Sequence, residues 1–301
     1  SNTMRVFIER SKCMMLLTLL RKELRTRLRR ERIVWLIIIY ILLLGTAGWI
    51  VLNSQSNSPF YMVGTTLYYL LVDLQLALLI LIIPAFTATA INGEKEHQTY
   101  DLLLCSQLSN FALITGKMLA GMATALLLIA ASLPIFSLIF FFGGVGPAQL
   151  VEALLIYLAT ALLVGSVGML CSIVFQRPTV STAFAYIFNL LWCLTPYFLI
   201  FSWYYLFPPR GTTATQINYL LLWSPFAAII SIATPSSTPL SLGSGVSVSL
   251  WVAYLITAVA LAALFFITSI FLVRPIPQAY RISLLEQPRI INKVKAPATQ
   301  R

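Results

Sequence analysis

Six runs of apolar residues leave this chain few ways to fold: about 33–52, 62–91, 112–142, 148–176, 180–207 and 248–273. Each is long enough for an α-helix to cross bilayer hydrocarbon, which takes roughly 20 residues. The second and third are long enough to tilt or to project beyond the membrane. No water reaches backbone N–H and C=O groups at that depth, so a spanning segment must satisfy them within itself, as a helix does. Composition agrees: 59% of the 301 residues are hydrophobic and 10% charged, against about 25% charged in soluble domains. The expected fold class is an all-α integral membrane protein with six spans, one domain over 1–301, with no stretch left for a soluble domain of ordinary size.

The basic residues orient the spans. Ten of the twenty lie between Arg5 and Arg32, before the first span, and six between Arg274 and Arg301, after the last. An even number of spans puts both termini on one side, and the excess of Lys and Arg makes that side cytoplasmic. Lys95, Lys117 and Arg177 then fall inside as well, and only Arg210 falls outside. The expected location is the plasma or inner membrane, with both termini in the cytoplasm. Topology and attraction to anionic lipid account for the net charge of +11, so nucleic acid is not an expected partner. Cys13, Cys105, Cys171 and Cys193 show no metal-binding spacing and read as free thiols. The basic start followed by a full-length span does not read as a cleavable signal peptide.

Residues 11–32 read as an amphipathic interfacial helix. Cys13, Leu17, Leu20, Leu24 and Leu28 recur at spacings of three and four, while Arg21, Lys22, Arg25, Arg29 and Arg32 take other faces. Gly165 and Gly168 in span four would allow close helix approach, although they lack the GxxxG spacing. The aromatic residues toward the end of span five, from Tyr197 to Phe207, read as an interfacial belt. The largest external segment is 208–247. Its apolar part, Ile217 to Ala233, is short and holds Pro225, so it reads as a re-entrant or interfacial helical pair interrupted at that proline. No internal repeat relates the first three spans to the last three, which weakens an inverted-repeat transporter.

Between spans two and three lies a polar island, residues 92–110, NGEKEHQTYDLLLCSQLSN. It holds Glu94, Glu96 and Asp101, three of nine acidic residues in the chain. Asp101, Leu102, Leu103, Leu104, Gln107 and Leu108 fit a short helix with an apolar side and acids near its start. Three acids disfavour a resting place on the negative cytoplasmic leaflet. A docking surface for a soluble partner fits better, with the adjoining spans receiving the force.

Catalytic chemistry finds little support. His97 is the only histidine, without the three or four convergent ligands of a zinc site, and no base is paired with Cys105 or a serine. The chain is therefore not expected to be an enzyme by itself. Glu152 falls near the outer interface. Asp73 lies well inside span two, where a carboxylate either lines a cavity, makes a structural hydrogen bond or sits on a projecting end.

The run from Ile91 to Lys117, INGEKEHQTYDLLLCSQLSNFALITGK, resembles the signature of type-2 ABC exporter permeases. That signature has an acidic pair before a threonine, then an acid with leucines, and a Gly-Lys pair opening the third span. Glu94, Glu96, Thr99, Asp101, Leu102, Leu103, Gly116 and Lys117 stand in those places, while Gln98 replaces the usual glycine and Gln107 the common proline. The resemblance extends more loosely over the basic helix, the six spans and the broken external segment. It implies a permease half of an ATP-driven exporter, working with a second copy or a similar chain, the island being a coupling helix docked on a separate ABC ATPase. Spans two and five are pathway candidates by that analogy, with Asp73 and Asn189 as their assigned residues. ATP and Mg would then sit on the partner. Gly116-Lys117 is followed by Met118 and lacks the earlier glycine of a phosphate-binding loop, so no cofactor is expected on this chain. The rival expectations are an ion-coupled secondary transporter or channel without an ATPase, an assembly protein docking another partner, and, last, an intramembrane enzyme.

Overall fold

The computed structural model describes residues 31–55, 59–93, 110–143, 145–206, 221–233, 239–241 and 247–272. They form α1 (Glu31–Ser54), α2 (Phe60–Thr87), α3 (Asn110–Phe142), α4 (Pro147–Val174), α5 (Pro178–Leu206), α6 (Pro225–Ala233), β1 (Pro239–Ser241), β2 (Ser247–Ser249) and α7 (Leu250–Leu272). Six of the helices, all but α6, are long and apolar enough to cross a membrane. The chain is thus a multi-pass membrane protein, as its six apolar runs require. Consecutive long helices reverse direction, so the ends of α2 and α4 share one face with the starts of α3 and α5. Residues 94–109 leave from that face, called the island face below. Of the expected interfacial helix 11–32, all but the last two residues lie outside the described ones.

Proline sets several helix starts. Pro147, Pro178 and Pro225 are the first residues of α4, α5 and α6, where a fixed φ and a missing N–H cost nothing. In α4 the N–H of Gly146 donates to Gln149 Oε1 at 3.1 Å, satisfying one more donor at that end. The turn from α3 to α4 passes through Gly143 at φ 77°, a left-handed conformation that glycine takes freely. Gly64 of α2 packs directly on it: a Cβ at position 64 would run into the Gly143 carbonyl.

In the segment before α7, Leu221 is helical, residues 222–224 turn, and Pro225 begins α6, where the Ser224 hydroxyl accepts the Ala227 N–H at 3.3 Å. Nine residues make about 14 Å of helix, too short to cross. A small antiparallel hairpin follows, with Leu240 opposite Val248, a departure from a wholly helical chain.

The core centres on α4. Buried residues fill 72% of its most apolar stretch, against 17% in α5 and α7, and it packs against α2, α3, α5, α6 and α7. Leu71, Leu76, Leu79 and Ile83 of α2 meet Ile156, Leu163 and Val164 of α4 and Ala258 and Ala262 of α7 in one cluster. Lipid is as apolar as these side chains, so the hydrophobic effect does not drive the helices together; close packing and interhelical hydrogen bonds do. Tyr157 donates to the Val72 carbonyl at 3.0 Å, the Thr160 and Tyr254 hydroxyls meet at 2.8 Å, and Tyr40 donates to Gln75. Phe141 and Phe271, 86% and 81% exposed, point outward as lipid-facing residues would.

Candidate functional site

Glu94, Glu96, Thr99, Asp101, Leu102 and Leu103 all lie outside the described residues, and so does His97. The two flanks of the island are described, and the first of them, the end of α2, is held by side chains of three other helices. Helix α2 ends at Thr87, and the chain continues through turns to Ile91, with Asn92 and Gly93 helical again where the described residues stop. A helix end leaves carbonyls without partners, and here three other helices attend to this one.

From α3, the Lys117 ammonium donates to the Ala90 carbonyl. Lys117 is 3% exposed, and a cation at a helix C-terminus meets the negative end of the helix dipole. From α5, the Ser181 hydroxyl donates to the Ala88 carbonyl at 2.8 Å. From α4, Ser172 Oγ accepts the N–H groups of Ile91 and Asn92, at 2.9 and 3.2 Å. All these bonds reach backbone atoms. The path of the chain, rather than its side chains, is what they fix.

Thr87 wedges the same end sideways. Its hydroxyl donates to the Ile83 carbonyl at 3.0 Å, and its side chain fills the space left by two glycines. A Cβ at Gly121 of α3 would come within 2.7 Å of Thr87 Cγ2, and one at Gly168 of α4 would overlap Thr87 Oγ1. The close approach expected of Gly168 is therefore made, with α2 as the neighbour. Beside this collar Asn92 is fully buried, and neither its Nδ2 nor its Oδ1 has a hydrogen-bond partner among the described residues.

Inside the bundle, Asp73 is half-buried, with Oδ1 enclosed and without a hydrogen-bond partner among the described residues. It lies within electrostatic range of Tyr68, Tyr157 and Tyr197. Asn189 on α5 is buried, its Nδ2 also without a partner among the described residues. Tyr186 donates to the Leu81 carbonyl at 2.9 Å, close to the Ile80 carbonyl that Pro84 leaves without its helical donor. That bond and the one from Ser181 set the antiparallel register of α2 and α5. Position 73 then stands across from about 195, and Asn189 roughly 9 Å further toward the island face, at 1.5 Å per residue. The two residues share one helix pair but stand at different depths. Near them Trp192 of α5 stacks on Trp223, with ring centroids 5.3 Å apart, and Ser224 bonds to the Tyr197 hydroxyl at 3.2 Å.

Among the described residues no group of His, Cys, Asp and Glu is placed to hold a metal ion. Cys171 and Cys193 are free thiols, while Cys13 and Cys105 lie outside the described residues. Sequence reasoning singled out Lys117 as part of a motif but missed Thr87, Ser172, Ser181 and the enclosure of Asn92. A serine within an apolar run carries no sign of which carbonyl it will meet.

Residues 50–272, from late in α1 to the last residue of α7, match a family described as ABC-2 family transporter protein. The match takes in well over half of the chain. No curated protein matches it.

Proposed function

The chain belongs to the ABC-2 family of transporter proteins, a membrane component rather than a catalyst, and from that premise we propose that it is the permease half of an ATP-driven exporter. Two such halves, copies of this chain or this chain and a similar one, form the pathway. Separate ABC ATPase subunits, carrying ATP and Mg, dock on the island through Glu94, Glu96, Thr99, Asp101, Leu102 and Leu103. The island face is cytoplasmic in this reading, on the strength of the basic residues that flank the spans on that side. One observation carries the reading: the island leaves a helix end that α3, α4 and α5 all grip, so a load on the island would act on the bundle. Asp73 and Asn189, on adjoining helices with unpartnered polar atoms, are proposed to line the substrate path.

A mild-detergent pull-down of the tagged chain from its native membrane tests the docking. An ABC ATPase is expected in roughly equal copy number, and Glu96→Lys with Asp101→Lys should remove it while insertion and folding persist. Unchanged co-purification with the double variant would sink the assignment. The enclosed Oδ1 of Asp73 favours a second reading, ion-coupled transport without an ATPase. Ion-driven flux through vesicles holding the purified chain alone would bring that reading forward.

A further inference from the structure

Resting on the docking reading above, we propose that the collar around residues 87–93 is the junction that carries movement of the island into the bundle, with Lys117, Ser172 and Ser181 as its positioning residues. A helix end held only by its own last turn frays, and a force applied beyond it is lost in local bending. This end is tied at Ala88 to α5, at Ala90 to α3 and at Ile91 and Asn92 to α4. The three ties come from three directions, and the Thr87 wedge between Gly121 and Gly168 opposes sliding. Displacing residues 88–93 must therefore move α3, α4 and α5 or break these bonds. α4 matters most, since it packs against five other helices of the bundle, and a shift there reaches α7 as well as α2. Asn92 adds to the tension at this junction: among the described residues its buried amide has no partner, a cost that a rearrangement of the 88–93 turn which pairs it would relieve.

The test uses the full chain with its co-purified ATPase in lipid nanodiscs. Spin labels at Tyr61→Cys on α2 and Tyr205→Cys on α5, in a background without the four native cysteines, report the face opposite the island. In the parent, ATP with vanadate should change the distance between the labels. Lys117→Met and Ser172→Ala should bind the ATPase at parental level yet show roughly half the change or less, and Lys117→Arg should restore it. Retention of a positive charge, rather than general packing, is what that rescue reads. Should Lys117→Met fail to fold, Ser172→Ala combined with Ser181→Ala decides the matter in its place. A full-sized change in variants that hold the ATPase would overturn the proposal, and so would loss of the ATPase, which would make the collar part of the dock itself. A parent chain that brings down no ATPase would instead refute the docking reading, and this proposal would fall with it.

Discussion

Asn92 and Ser172 sit one beside the other and have opposite accounts. The Ser172 hydroxyl receives two backbone N–H groups, while the Asn92 amide, equally enclosed, has no partner among the described residues. An unpaired buried amide costs about 1–3 kcal/mol, and an apolar replacement of similar shape removes that cost. Asn92→Leu is therefore expected to raise thermal stability, by the equivalent of about 1–2 kcal/mol, in an unfolding scan of the detergent-solubilised chain. A drop in melting temperature would mean that the amide is paired in the functioning protein. Ser172→Ala should do the reverse, since it strands two backbone donors. The residue type alone distinguishes neither case: both positions read as small polar residues at the edge of an apolar run.

At the scale of elements, the α2–α4 contact depends on a size match between Thr87 and Gly168. Gly168→Ala would push a methyl group into Thr87 Oγ1, and overpacking of this kind costs about 1–3 kcal/mol. Thr87→Ala in the same chain should recover part of the loss, because it removes the hydroxyl that is struck first. Melting temperatures of the two single variants and the double variant form a cycle that checks this, and simple additivity would contradict the contact. The helices themselves follow from length, hydropathy and proline placement, which is why α1 to α5 and α7 fall within a few residues of the apolar runs. At Pro225 the proline serves both purposes: residues 222–224 leave the helix, and its fixed φ and absent N–H suit the first turn of α6.

Across the whole molecule, the charge pattern makes a further prediction. With the island face in the cytoplasm, trypsin acting on sealed inverted vesicles should cut within residues 94–109 at Lys95 and in the basic terminal segments. Trypsin outside right-side-out cells should have access to Arg210 and spare those sites. The opposite pattern would invert the topology and remove the proposed dock from the ATPase's reach. Six spans, the polar island and the resemblance carried by Glu94 to Lys117 could all be read from the sequence; the family match over residues 50–272 agrees with the family resembled, and the six long helices with the spans. These are properties of contiguous segments: apolar length, charge bias and local motif act within a stretch of about 20 residues and need no knowledge of neighbours. Asp73 and Asn189 could be named from sequence as polar residues within spans, but not their difference in depth, which the register of α2 against α5 sets. Of the collar, only Lys117, as part of a motif, and Gly168, as a close-approach glycine, stood out in the sequence, and their partners did not. Ala88, Ala90 and Ile91 meet Ser181, Lys117 and Ser172 through backbone groups, which the identity of a residue does not reveal, across separations of 27 to 93 positions. The sequence by itself determined the six membrane-crossing helices, their length and their lipid-compatible surface, because each helix satisfies its own backbone. The tertiary structure decided which helix end is gripped and by what, because in lipid that choice rests on the close fit of glycines and hydroxyls brought together from distant helices.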